Sequence, residues 1–269
     1  MNKLEIKNVS KRYWLERESR EVHACTDVTL SIADGEFVAI VGPSGCGKTT
    51  LLNVVAGLLP YEDGDVMIDG NRVEAPGPDR AVVFQHASLL PWRTVTGNVR
   101  YGMELHRRFD KATIEERTTH FINMVGLQGF ERAYPSEISG GMQQRTNLAR
   151  ALASDPTVLL MDEPFAALDA QTREFMQAEL LKIWSKSKKT VMFITHQINE
   201  AVYLADRVVV MSARPGRIKE TFDIPFERPR TLRLKRDPAF LEIEDKIWKL
   251  IEEESENILV GDSVGTEVS

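Results

Sequence analysis

The chain has 269 residues, 42% hydrophobic and 28% charged, enough for one large domain or a domain carrying a subdomain. A net charge of -6 argues against nucleic acid as the main partner, and only two cysteines, Cys25 and Cys46, stand outside any CxxC or Cys/His cluster, which argues against a zinc site and a disulfide framework. No apolar run approaches the roughly 18–20 residues of a membrane span, and MNKLEIKNVS does not read as a signal peptide, so work at a membrane would pass through partner chains.

In chain order, Leu4–Val9 alternates apolar and polar residues, the pattern of a half-buried strand. Thr29–Ile32 and Phe37–Val41 flank Ala33-Asp34-Gly35-Glu36, which predicts a hairpin, and a second Asp-Gly turn follows at Asp69-Gly70. Ala81–Phe84, Val158–Met161, Val191–Ile194 and Val208–Met211 are short apolar runs that predict buried strands, and helix-like segments separate the last three. This alternation predicts an α/β fold: a mostly parallel central sheet with an N-terminal antiparallel β subdomain. Residues from about 90 to 150 are strand-poor and include KATIEERTTHFINMVG, which predicts an inserted helical subdomain within a main domain of residues 1–225. Residues 226–269 predict a helical extension, with Phe240, Ile243, Ile247 and Ile251 at helical spacing and a polar, flexible acidic end from about Ser255.

The strand Val38–Val41 leads into Gly42-Pro-Ser-Gly-Cys-Gly-Lys-Thr49, and a helical pattern follows from Thr50. GxxxxGK(S/T) between strand and helix is a phosphate loop. Its glycines let backbone wrap around phosphate oxygens, and the amides of Gly45 to Thr49 can form an anion nest. Lys48 supplies charge toward the β- and γ-phosphates, and the Thr49 hydroxyl suits Mg²⁺. Cys46 reads as a small loop residue, since phosphoryl transfer needs positioning more than a covalent nucleophile.

Three other strand ends carry chemistry. Val158–Met161 ends in Asp162-Glu163-Pro164. Alone this could be a solvated turn; after a phosphate loop, Asp162 is a Mg²⁺ candidate and Glu163 a general-base candidate. Gln85 follows Ala81–Phe84 and is either a surface amide or a group reaching Mg²⁺ or the attacking water. His196 ends Phe193-Ile-Thr-His and is either structural or a γ-phosphate contact. Open α/β sheets bind ligands at such carboxyl ends. The stretch SEISGGMQQR, about ninety residues downstream of the phosphate loop, has the features of a second anion-binding helix start.

Together GPSGCGKTTLLNVVAGL, FQHASLLPW, EISGGMQQRTNLARAL, VLLMDEPFAALDAQTR and ITHQINEAVYLADRVVVM resemble, in order and spacing, the ATP-binding subunit of ABC transporters over about residues 3 to 250. The resemblance implies an ATPase with a P-loop NTPase fold that uses ATP and Mg²⁺. Gly42, Pro43, Ser44, Gly45, Cys46, Gly47, Lys48, Thr49 and Thr50 would hold the phosphates. Thr49, Gln85 and Asp162 would serve Mg²⁺, Glu163 the hydrolytic water and His196 the γ-phosphate. Tyr13 would stack on adenine, with Trp14 the second candidate; the alternative for Tyr13 is a half-buried strand-end aromatic. Ser139, Gly140, Gly141 and Met142 would meet ATP bound to a second copy in a head-to-tail dimer, and Asp169 would organise that interface. The signature reads ISGGM where the common form is LSGGQ, so Met142 departs from the family pattern.

LPWRTVTGN and RPGRIKETFDIPFERPR resemble the nitrate/sulfonate/taurine-type importers, a branch that also serves bicarbonate and pyrimidine precursors. The resemblance implies integral membrane permease partners, a solute-binding protein acting indirectly, and a peripheral place on the cytoplasmic face of the inner membrane. Leu89, Leu90 and Trp92, apolar residues in a loop, are candidate permease contacts. An exporter subunit or a soluble nucleic-acid- or ribosome-associated ABC ATPase are the competing readings.

Overall fold

The computed structural model describes residues 1–16, 19–106 and 108–264. The chain divides into two units, Met1–Pro76 with Thr190–Ser269, and Gly77–Lys189.

The first unit opens with an antiparallel sheet. β1 (Asn2–Leu15) pairs on one side with β2 (Arg20–Ala33) and on the other with β4 (Asp63–Ile68), and β5 (Asn71–Arg72) closes on β4. The turn from β4 to β5 is Asp69-Gly70, both at positive φ, as a two-residue hairpin of the primed type requires. The hairpin predicted at Ala33–Glu36 does not form. β3 (Phe37–Val41) leaves the antiparallel sheet and pairs in parallel with β8 (Thr190–Ile194) and β9 (Arg207–Met211). The physical reason lies in its pattern: FVAIV is apolar at every position and all five residues are fully buried, as a strand covered on both faces demands. β10 (Ile218–Asp223) adds antiparallel to β9.

Helix α1 (Lys48–Ala56) follows the phosphate loop, and α6 (Ile198–Leu204) follows His196. The last carbonyls of α6 are capped by two arginines. Arg230 donates to the carbonyls of Val202, Tyr203 and Ala205, and Arg228 donates to Leu204 and pairs with Asp206. Cations there satisfy orphan carbonyls and complement the helix dipole. Burial and the neighbouring Arg228 push the Arg230 guanidinium down to about 10. Helix α7 (Pro238–Val264) buries Phe240 and Ile247. It continues past Ser255, where the sequence pattern placed the start of a flexible end; residues 265–269 lie outside the described part.

In the second unit, β6 (Arg80–Val83) pairs in parallel with β7 (Val158–Asp162). Three helices, α2 (Val95–His106), α3 (Lys111–Met124) and α4 (Gly140–Ala153), pack on one another between these strands, and α5 (Ala170–Ser187) follows β7. Asp110 caps α3 and Ser139 caps α4, each accepting from the third helical amide.

Glu62 anchors the strand that carries Tyr13. Its two oxygens accept from Lys11 Nζ and the Arg12 amide, both at 2.8 Å. Burial pushes the Glu62 carboxyl up, but those two donors outweigh it and hold it below the ordinary carboxylate range. A carboxylate depressed in this way contributes stability above its unfolded pKa, about 4.3, and loses it as pH falls through the folded value. We expect Glu62→Gln to cost about 1–2 kcal/mol at neutral pH, discounted for solvent screening. In thermal melts the gap between wild type and variant should close as pH drops from about 5 to about 3. A gap that persists at the acid end would contradict this.

Candidate functional site

In the first unit the phosphate loop runs from the end of β3 into α1. Gly47 takes a left-handed backbone (φ 94), and a Cβ there would collide with the Ala24 carbonyl oxygen of β2. Glycine is therefore required by packing from outside the loop as well as by the turn. Lys48 is buried, with Nζ donating to the carbonyls of Gly42 (2.9 Å) and Pro43 (2.8 Å). Its ammonium is thus parked inside the ring of backbone that Gly42–Thr49 describes. Cys46 is buried and its Sγ lies 3.6 Å from Lys48 Nζ; burial pushes the thiol up despite that cation. Both features suit a packing role and not a nucleophile. Ser44, Gly45 and Thr49 are exposed, while Thr50 is half-buried.

His196 is exposed between two fixed neighbours. Thr195 Oγ1 donates to the buried Glu200 at 2.7 Å and accepts from the Gln197 amide at 3.0 Å, so the turn presenting the imidazole is held from both sides. Tyr13 sits on β1 at 38% exposure with Lys11 Nζ 5.3 Å from its ring centre, and Trp14 beside it is 64% exposed. Both rings are available for stacking, and Tyr13 alone carries the cation contact.

In the second unit the structure joins three sequence segments that lie far apart. Gln85 Nε2 donates to Glu163 Oε2 at 3.0 Å, which leaves the amide oxygen of Gln85 for another partner. Glu163 has a left-handed backbone (φ 46), an uncommon state for a residue with a Cβ, directly after the buried Asp162. The loop that begins at Gln85 is held by the signature helix. Gln144 and Asn147 of α4 both donate to the Phe84 carbonyl, at 2.9 and 3.3 Å. Sequence reasoning missed these two. The sequence alone does not mark them, because Gln144, Thr146 and Asn147 are seen to be the buried polar residues of α4 only once the helix is packed.

At the far end of the same loop, the fully buried Asn98 accepts from the Leu90 amide and donates to the carbonyls of Leu90, Arg93 and Thr94. Trp92 stands at the tip, 71% exposed. Leu89 and Leu90 are half-buried, so of the three predicted contacts Trp92 alone projects.

Ser139 and Gly140 are exposed at the start of α4, and the Ser139 hydroxyl accepts from the Met142 amide at 3.3 Å. A Cβ on Gly141 would meet Leu168 and Ala167, next to Asp169. Asp169 caps α5 by accepting from the Thr172 amide, and the Thr172 hydroxyl together with that amide holds its carboxyl below the ordinary range. Arg173 ties the preceding turn, donating to the carbonyls of Phe165 and Leu168.

Residues 25–166 match the family model described as ABC transporter. An uncharacterized ABC transporter ATP-binding protein of Methanocaldococcus jannaschii is 53% identical over 252 residues, covering 94% of this chain and 92% of that one. Taurine import ATP-binding proteins of Rhizobium johnstonii and Escherichia coli are 47% and 43% identical, covering 89% and 87% of this chain and 93% of each. Among solved structures, a dimeric post-hydrolysis ATP-binding cassette bound to ADP and phosphate superimposes with a TM-score of 0.76 at 32% identity, over 83% of this chain and all of the other. The chain therefore belongs to the ABC transporter family, as an ATP-binding and ATP-hydrolysing subunit with the P-loop NTPase fold.

Proposed function

We propose that the chain powers a membrane importer for a small anionic or organic solute of the nitrate, sulfonate, taurine, bicarbonate or pyrimidine-precursor type. It works as a head-to-tail pair on two permease subunits at the cytoplasmic face of the inner membrane, and a solute-binding protein selects the solute. The taurine import relatives support the importer reading, and the dimeric cassettes support the pair. Among the described residues no helix is long and apolar enough to cross a membrane, so the permease contact falls to a surface.

One observation carries the coupling. A single loop has Gln85 on Glu163 at one end and Trp92 exposed at the other, and it is braced by Gln144, Asn147 and Asn98 along its length. A chemical event at Glu163 is thereby tied to a surface that a permease helix can grip.

In this reading Gly42–Thr50 cradles the phosphates, Tyr13 stacks on adenine and His196 meets the γ-phosphate. Thr49, Gln85 and Asp162 offer a hydroxyl, an amide and a carboxylate, all hard oxygen donors of the kind Mg²⁺ selects. Mg²⁺ commonly takes one or two carboxylates and completes its shell with phosphate oxygens and water, which fits this small donor set. When bound, it neutralises charge on the phosphates. Glu163 accepts a proton from the attacking water, and its bond from Gln85 keeps that carboxylate aimed.

The second copy is invoked for a specific reason. Gly140 has an ordinary backbone, and among the described residues nothing lies within 4 Å of where its Cβ would be. The helix start there is bare, exposed backbone, which leaves room for a group that approaches from outside. Met142 keeps its backbone role at the helix start, where the Ser139 hydroxyl accepts its amide.

Glu163→Gln should slow ATP hydrolysis by roughly a hundredfold or more while leaving nucleotide binding intact. Light scattering should then find a stable ATP-bound pair; hydrolysis near the normal rate would remove Glu163 as the base. Trp92→Ala should reduce solute uptake in proteoliposomes by at least about fivefold, as loss of a central aromatic anchor does. Wild-type uptake and complex yield would contradict the docking role.

A further inference from the structure

The connection from β9 to β10, Ser212–Arg217, is built against the outer wall of the phosphate loop. Gly216 donates its amide to the Ala24 carbonyl at 3.1 Å, and its carbonyl accepts from the Thr26 amide at 3.0 Å. A Cβ on Gly216 would collide with the Cys46 carbonyl oxygen, so the two backbones touch and only glycine fits between them. The connection also closes on itself. The Ser212 amide donates to the Arg217 carbonyl at 2.8 Å, and the Ser212 hydroxyl accepts from the Arg217 amide at 3.1 Å.

Arg214 forms the tip of this rigid connection. Its Nη2 lies 3.3 Å from where a Cβ on Gly45 would be, so the guanidinium stands beside the exposed part of the phosphate loop. Among the described residues no carboxylate pairs with it. The C-terminal helix fixes the base of the tip: Glu254 Oε2 accepts from the Ala213 amide at 2.8 Å. Lys219 holds Glu254 in place from the other side, with Nζ 2.9 Å from its Oε1 and 3.1 Å from Glu253 Oε2.

We propose that Arg214 is a second cation of the nucleotide site, binding the polyphosphate of the bound nucleotide, and that Glu254 of α7 is its positioning residue. The inference rests on the reading of Gly42–Thr50 as the phosphate loop. A polyphosphate brings several negative charges, and Lys48 supplies only one positive charge from within the loop. A guanidinium with no carboxylate to give up can meet two phosphate oxygens at once through its planar fork. It raises the local positive potential before contact as well. Lysine at this position would keep the charge but not the fork.

The test uses the full chain with fluorescent ADP and ATP analogues and Mg²⁺, titrated at several salt concentrations. Arg214→Ala should weaken both analogues about five- to tenfold and flatten the salt dependence. Arg214→Lys should recover part of the loss. Glu254→Ala should give a smaller loss, and Glu254→Gln should restore affinity, because its amide oxygen still accepts from Ala213. Affinities within about twofold of wild type for Arg214→Ala, with binding lost in Lys48→Ala, would overturn the role of Arg214 alone. Unchanged affinity in Lys48→Ala as well would overturn the phosphate-loop reading beneath it. Unchanged ADP affinity with loss of ATP-driven pairing would place Arg214 at the partner copy and also overturn the proposal.

Discussion

On the proposed reading, the nucleotide polyphosphate lies against backbone that its glycines leave bare and that neighbouring segments keep from moving. The first unit is organised around that constraint. β3 is buried at every position and delivers Gly42 at its open end. β2 packs its Ala24 carbonyl against Gly47, and the connection after β9 packs Gly216 against Cys46. Lys48 completes the ring from inside by bonding to Gly42 and Pro43. The glycines allow these approaches, and the approaches in turn remove the freedom that glycine would otherwise give the loop. Preorganised amides of this kind do not reorganise when charge arrives, which is what makes them effective partners for a phosphate.

The second unit fixes both ends of one exposed loop, and it does so with directional bonds. Phe84, directly after β6, offers a carbonyl that takes two amide donors from α4. The next residue, Gln85, holds Glu163. Asn98, with no exposure to water, fixes the far end of the loop through four bonds. A buried amide with every group satisfied specifies one conformation, because any other leaves polar groups unpaired. A ligand that engages Ser139 and Gly140 therefore acts on the same helix that holds the Gln85 loop.

Much of this was legible in the sequence where the signal is local. The phosphate loop is contiguous and its flanks are a strand and a helix. The runs VLLM, VMFI and VVVM read as buried strands because two-sided burial leaves no polar alternation. The turn at Asp34-Gly35 misled, since Asp-Gly is a hairpin signal only when both flanks belong to one sheet; the all-apolar FVAIV already pointed elsewhere. The first half of β2, REVHACTDV, was not legible, because its partner β1 supplies the pairing and its own residues are mostly polar. The bonds of Gln144, Asn147, Asn98 and Glu254 were invisible for the same reason. Each joins residues whose separation along the chain carries no pattern, and only the folded backbone brings donor to acceptor.

The central claim is that each nucleotide site is shared, with Lys48 from one copy and Ser139-Gly140 from the other. Mixing two inactive variants tests it directly. Lys48→Ala spoils only the phosphate loop, and Gly140→Asp spoils only the helix start. In a mixed pair, one site would combine both intact halves. The account predicts that the mixture hydrolyses ATP well above the sum of the two variants measured alone. A mixture that demonstrably forms mixed pairs and yet hydrolyses no faster than that sum would contradict a site built from two copies.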